Sequence, residues 1–96
     1  MRIEIIIPID SETQEVYHFN SFDNYEIALV FVFYAKQTKP KGKRKWTNIN
    51  WWDKYNQRDS RIPEPKLTED VKSKVLSKAK ESITVKTWAE YKPENN

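Results

Sequence analysis

The sequence predicts an α+β fold, in which a small mixed, mostly antiparallel sheet of four to five strands carries one helix in the C-terminal half of the chain, packed on one face. Three observations support this prediction. Short apolar stretches rich in β-branched and aromatic residues recur through the first half of the chain, as is typical of strands. One later segment repeats its apolar residues at helical spacing. The chain has 96 residues without an internal repeat, which indicates a single domain over residues 1–96.

The first strands are predicted from an alternating pattern. Residues 2–9 place four isoleucines on one face: Ile3, Ile5, Ile7 and Ile9. Pro8 cannot donate a backbone hydrogen bond, so that end of the strand belongs at an edge or a strand end. Residues 10–13 have turn composition, and residues 14–19 resume an extended pattern. Together these segments predict a β-hairpin.

Residues 25–36 are open to two interpretations. A helix over 22–37 is one, since Ser21 can cap it and lysines follow its end. Its nine central residues, Ile27 to Ala35, are all apolar, so such a helix would need burial on every side. A central strand needs less covering material, and the Val, Phe and Tyr side chains favour it. We therefore prefer a strand and keep the helix as the alternative.

The second half of the chain predicts one more strand, a helix and a last strand. Residues 46–55 alternate as a strand, and residues 56–66 form a connector with two prolines. Thr68 is the predicted cap of a helix over 68–82. The apolar stripe of that helix recurs close to helical spacing at Leu67, Val71, Val75, Ala79 and Ile83. A strand at Val85 to Tyr91 and a tail over 93–96 complete the prediction.

Charge is distributed unevenly along the chain. Residues 1–35 contain one basic and six acidic residues, whereas residues 36–66 contain ten basic and three acidic ones. This asymmetry indicates a basic surface with a polyanionic partner. The alternative is that the acidic and basic segments are neighbouring strands that neutralise each other.

The candidate site lies in the basic segment. A basic loop over residues 37–45 would contact phosphates and release counterions. The strand after it alternates tryptophan with asparagine on one face, and such side chains stack on unpaired bases and bond to base edges. The opposite face, with Ile49, Trp51 and Tyr55, is the expected core side. The alternative is that Trp46 and Trp52 are core residues. The predicted nucleic-acid-binding residues are Lys39, Lys41, Lys43, Arg44, Lys45, Trp46, Asn48, Asn50, Trp52 and Lys54.

Catalysis and cofactor binding have little support. The chain has no cysteine, one histidine and one glycine, so it offers no thiolate site, no histidine-rich metal site and no glycine-rich phosphate loop. His18 is interpreted as a partly exposed strand residue. We therefore expect a protein that is not an enzyme, with no cofactor, no metal and no small-molecule substrate.

The longest apolar run has nine residues, against about 20 needed to span a bilayer, and no signal-peptide pattern is present. These features predict a cytoplasmic protein that does not bind membranes. The composition, with 13 lysines and seven asparagines, suggests an alternative function. In that interpretation, a phage or mobile-element accessory protein binds and inhibits a host protein, such as a defence nuclease, as anti-CRISPR proteins do. A homodimer would form through apolar side chains on one face of the central strand that no other element covers. These are Ala28, Val30, Val32 and Tyr34.

Overall fold

The fold is an antiparallel sheet with one helix packed on it, as the sequence predicts. The computed structural model describes residues 2–22 and 28–80, and within them four strands form one sheet in the order β1-β2-β3-β4. A short 3-10 turn at Gln57–Asp59 follows the fourth of these strands. The strands and the helix are β1 (Arg2–Asp10), β2 (Thr13–Phe22), β3 (Ala28–Thr38), β4 (Thr47–Asp53) and α1 (Glu69–Lys80).

The segment with two interpretations is a strand over all of its described residues. β3 lies between β2 and β4, and the structure shows no helix at residues 28–37; residues 23–27 lie outside the described ranges. Side chains on both faces of β3 are buried, with Ala35 0% and Tyr34 7% exposed. The apolar composition of this segment therefore reflects a central strand with buried side chains on both faces of the sheet.

The two faces of the sheet follow from its register, because directly opposed residues of neighbouring strands point to the same side. Ile5 pairs with Tyr17, Tyr17 with Tyr34, and Tyr34 with Trp52. This row belongs to the helix face, where the core cluster joins the sheet to α1. The opposite side, which we call the open face because α1 does not pack on it, carries the row Glu4, His18, Phe33 and Asp53.

Two register shifts interrupt the alternation of side chains. One lies between His18 and Phe19 against β3, and the other between Lys36 and Gln37 against β4. Each adds a residue to one strand, so the residues beyond it change face. As a result Tyr34 lies in the core on the helix face, and Val32 is 7% exposed. The prediction that Ala28, Val30, Val32 and Tyr34 form one uncovered set is therefore wrong.

Helix α1 begins as the sequence predicts. The Thr68 hydroxyl accepts a hydrogen bond from the Val71 amide at 3.2 Å, which satisfies one of the free N–H groups of the first turn. Val71, Val75 and Ala79 recur every fourth residue and are 3%, 0% and 0% exposed. The helix thus contributes a single apolar stripe, which covers the helix face. The helix is described as far as Lys80, and the predicted strand at 85–91 and the tail at 93–96 lie outside the described residues.

Two tyrosines occupy the middle of the helix face. The rings of Tyr17 and Tyr34 meet edge to face with centroids 5.0 Å apart, and the Tyr34 hydroxyl donates a hydrogen bond to Glu15 at 2.7 Å. Burial, with a smaller contribution from the Glu15 charge, raises the pKa of Tyr17 to about 12. The pKa of Tyr34 is raised too, again mainly by burial. Both phenols therefore stay protonated at neutral pH.

Candidate nucleic-acid interface

The basic loop is built around a tight turn. β3 runs to Thr38, so the loop begins at Lys39, two residues later than predicted, and covers residues 39–45. The Lys43 amide donates to the Pro40 carbonyl at 2.9 Å, and Gly42 between them has φ 88°. A positive φ at the third position of a β-turn favours glycine. The single glycine of the chain therefore sets the direction of this loop.

The turn between β1 and β2 holds the basic loop in place. Glu12 accepts the Lys39 amide on its main-chain oxygen at 2.9 Å, and its carboxylate accepts the Lys41 amide at 2.8 Å. The Thr38 hydroxyl also donates to the Glu12 carbonyl, at 3.1 Å. These bonds go to the loop backbone, so they fix the loop while leaving the lysine ammonium groups available.

Within the described residues, no cation of the basic loop forms an ion pair, although the Glu12 carboxylate lies against the loop backbone. Lys41, Lys43, Arg44 and Lys45 are all exposed. The ion pairs within residues 2–22 and 28–80 join Lys72 to Glu69 and Lys74 to Asp70, and neither includes a loop residue. Over this described part, no ion pair joins the acidic first segment to the basic middle segment, although Glu15 of β2 lies directly opposite Lys36 of β3. The loop is therefore a concentrated source of positive potential.

Trp46 lies directly after these cations. Its side chain is half-buried, and the Lys39 ammonium lies 5.0 Å from the ring centroid, within the range of a cation–π contact. Beside it, Pro40, Lys43, Arg44, Lys45 and Thr47 line an open cavity of about 360 Å³. The loop therefore joins an aromatic ring to a concave basic surface.

The predicted tryptophan and asparagine face does not exist as one surface. Trp52 is 2% exposed and packs on Phe31 with ring centroids 4.8 Å apart, because it opposes Tyr34 on the helix face. Asn48 pairs with Gln37 and Asn50 with Lys36. Since Lys36 and Gln37 are consecutive, the two asparagines point to opposite sides of the sheet. The assignment of the two faces of this strand was therefore wrong.

The other predicted site residues are exposed but divided between two places. Asn48 is exposed and accepts a hydrogen bond from the Gln37 side-chain amide at 2.8 Å. Lys54 is exposed in the turn that follows β4, at the opposite end of that strand from the basic loop. The structure brings together the loop cations, Trp46 and Asn48, and it separates Asn50, Trp52 and Lys54 from them.

The open face holds aromatic and basic residues that the sequence analysis did not select. Trp51, expected in the core, is only half-buried, and the Arg61 guanidinium lies 4.9 Å from its ring centroid. Arg61 is placed there because its amide donates to the Trp51 carbonyl at 3.0 Å. Tyr55, also expected in the core, is 70% exposed. The contact between Trp51 and Arg61 could not be predicted from the sequence. The two residues lie ten positions apart, and only the turn between them brings their side chains together.

His18 lies in a polar row on the open face. Arg2 donates a hydrogen bond to its Nδ1, and its Nε2 lies 2.6 Å from the Glu4 carboxylate. An acceptor Nδ1 and a donor Nε2 define the neutral tautomer. Burial lowers the pKa of His18, and the hydrogen bond to Glu4 offsets part of that effect. His18 is therefore a neutral link between strands at pH 7.

Comparisons with protein-family models, with curated proteins and with solved structures found no match to this chain. No helix in residues 2–22 and 28–80 is long and apolar enough to cross a bilayer. The same ranges contain no group of three or more His, Asp or Glu side chains arranged to hold a metal ion.

Proposed function

We propose that this protein binds nucleic acid through the basic loop and Trp46. The observation that supports this proposal best is the combination of a fixed loop backbone with unpaired cationic side chains. A loop whose backbone is already ordered loses less conformational entropy when it binds. Its side chains meet phosphates without first breaking ion pairs within the described part of the protein.

In the proposed complex, the basic loop contacts phosphates, and Trp46 and Asn48 after it contact bases. Lysine and arginine side chains neutralise phosphates and release condensed counterions, which makes the affinity depend on salt. Trp46 supplies an aromatic ring next to the cations, and Asn48 supplies an amide that can donate to and accept from a base edge. Trp52 belongs to the core and Asn50 to the opposite face, so neither is part of the proposed surface.

Replacing Lys41, Lys43 and Arg44 together with alanine tests the proposal. Each lost phosphate contact removes about 0.9 from the log–log slope of affinity against salt on duplex DNA, and about 0.7 on single strands. We therefore expect the triple variant to lower the slope by roughly two to three units. Its melting temperature should change little, because these side chains are exposed and make no ion pairs in the described ranges.

The control replaces Lys66, Lys72 and Lys74, which removes the same net charge away from the loop and also two exposed ion pairs, from Lys72 to Glu69 and from Lys74 to Asp70. Fluorescence anisotropy at several salt concentrations, together with thermal melting, measures both sets of variants. Equal slopes for the loop variant and the unmodified protein would contradict the proposal.

A second candidate function is binding to a protein. β1 lies at the edge of the sheet formed by the described strands and carries two exposed isoleucines, Ile6 at 47% and Ile9 at 52%. Exposed apolar side chains in such a position are typical of interfaces. The partner would be a host protein inhibited by a phage or mobile-element accessory protein, or a second copy of this chain. An unchanged salt slope in the loop variant, together with a stoichiometric protein partner that survives nuclease and high salt, would favour this candidate.

A further inference from the structure

The open face ends in a cavity far from the basic loop. It measures about 230 Å³ and receives one or more side chains from each of the four described strands and from the turn after β4. The turn is fixed because Asp53 accepts the Tyr55 amide on Oδ1 at 2.9 Å. The residues that line the cavity are Arg2, Asn20, Val32, Phe33, Asp53 and Tyr55.

The size and lining of this cavity suit one planar ring. Sites for drug-sized molecules span roughly 300–1,000 Å³, so about 230 Å³ is the volume of a smaller group. Phe33 and the exposed ring of Tyr55 offer aromatic surfaces for stacking. Arg2, Asn20 and Asp53 add hydrogen-bonding groups to the lining. This combination is the one that recognises an unpaired nucleobase.

A path of aromatic and polar residues leads from the basic loop to the cavity. Gln37 and Asn48 lie nearest the loop, and Trp51 with Arg61 follows in the middle of the open face. Phe33 lies six residues before Lys39 along the chain, which corresponds to about 20 Å at the rise of a strand. A stacked single strand advances about 3.4 Å per nucleotide, so the path has room for about six nucleotides.

We propose that the ligand is a single-stranded nucleic acid, which runs from the basic loop across the open face and places one unpaired base in the cavity. This inference rests on the proposed function and specifies its substrate. A base held in a duplex cannot enter, since both its stacking faces and its pairing edge are occupied. Arg61, stacked on Trp51, meets a phosphate midway along the path.

The charged groups of the cavity favour guanine. The Asp53 carboxylate accepts hydrogen bonds only, and guanine presents two adjacent N–H donors on its pairing edge. Guanine also carries the O6 and N7 acceptors that arginine recognises, and Arg2 is the donor on the other side of the cavity. Thymine presents a single N–H between two carbonyl oxygens, so it makes the poorest match.

Fluorescence anisotropy with labelled DNA strands of about ten nucleotides, within the usual range of site sizes, tests the inference. The probes are an all-thymine strand, the same strand with one central guanine, and a duplex of equal length. We expect the guanine-containing strand to bind tightest and the duplex weakest.

Two substitutions locate the effect in the cavity. Tyr55→Ala removes an exposed ring and should weaken single-strand binding by roughly five- to 150-fold, the range for loss of one stacked base, while Tyr55→Phe retains the affinity. Asp53→Asn keeps an oxygen for the Tyr55 amide but replaces one acceptor with a donor. It should abolish the preference for guanine, measured as the ratio of the affinities for the two single strands, because removing a negative charge raises the affinity for both strands alike.

The outcomes separate this inference from the proposed function. Equal affinity for single strand and duplex, with no effect of Tyr55→Ala, would overturn the inference, and if the loop variant still lost its salt dependence the proposed function would stand. Failure to bind any of the probes would overturn both. Melting curves of the cavity variants show whether a loss of binding reflects unfolding, and Tyr55, at 70% exposed, contributes little to stability.

Discussion

At the scale of single residues, two adjacent tryptophans have opposite environments. Trp52 opposes Tyr34 and packs on Phe31 in the core cluster, whereas Trp51 opposes Ala35 and holds the Arg61 guanidinium over its ring. Side chains of consecutive strand residues point to opposite faces, so one of the pair had to enter the core. Which one entered depends on the register with β3, and that register contains a shift.

Trp52→Ala should destabilise the protein strongly. Removing a fully buried tryptophan leaves a cavity and costs about 3–5 kcal/mol, a large part of the roughly 5–15 kcal/mol that holds a domain together. Trp46→Ala removes a half-buried ring next to the loop and should cost far less stability while weakening nucleic-acid binding. Urea denaturation followed by circular dichroism measures both variants. Similar unfolding midpoints for the two would contradict the core assignment of Trp52.

At the scale of elements, His18 joins the first three strands on the open face. It pairs with Glu4 of β1 and with Phe33 of β3, whose ring centroid lies 5.2 Å from its own. The charged groups that face it are Arg2 and Glu4, both from β1; β3 contributes the uncharged Phe33. The neutral imidazole suits this row, since Arg2 donates to one ring nitrogen and Glu4 accepts from the other.

Acid should weaken this link between the strands. The folded pKa of His18 is lowered, so below the unfolded value of about 6.5 the unfolded chain binds the proton more readily than the folded one. The contribution of His18 to stability is complete above about pH 6.5 and is lost as the pH falls through the lower folded value. His18→Gln, which does not titrate, should therefore lose less stability between neutral and mildly acidic pH. Denaturation curves at several pH values test this, and parallel losses in both proteins would contradict it.

At the scale of the whole molecule, the sequence predicted the class of fold well. Alternation in residues 2–9, the cap at Thr68 and the apolar stripe of α1 are local patterns that depend on neighbours in the chain. The choice of a strand for β3 depended on chain length, because a chain of 96 residues has too few other residues to bury a helix that is apolar on every side. These features needed no knowledge of tertiary contacts.

The candidate site was less predictable because it depends on register. A single extra residue near Ile49 separates Asn48 from Asn50, and no composition rule locates such a shift. Ile49 and Tyr55, assigned to the core by alternation, are 37% and 70% exposed. The basic loop, by contrast, was located to within two residues of its start, because proline, glycine and repelling lysines define a loop locally. Its attachment to Glu12 joins residues 29 apart along the chain and could not be read from the sequence.

The connectivity of the sheet has a consequence for the order of folding. Each described strand pairs with its neighbours in the chain, so the sheet can form from successive hairpins with short loops to close. Helix α1 is different, since it packs under β1 and Lys78 donates to the Glu4 carbonyl at 2.8 Å, a contact between residues 74 apart. Closing so long a loop costs more entropy, so we expect the helix to dock after the main folding barrier.

Matched valine truncations in stopped-flow kinetics test this order. Val75→Ala in α1 should speed unfolding by roughly thirtyfold, for a loss of about 2 kcal/mol, and leave the refolding rate nearly unchanged. Val16→Ala in β2, 4% exposed, should mainly slow refolding. The reverse pattern would show that the helix belongs to the folding nucleus. In the expected order, the protein passes through a state in which the sheet is formed and its apolar helix face is still open to water, the state most prone to aggregation.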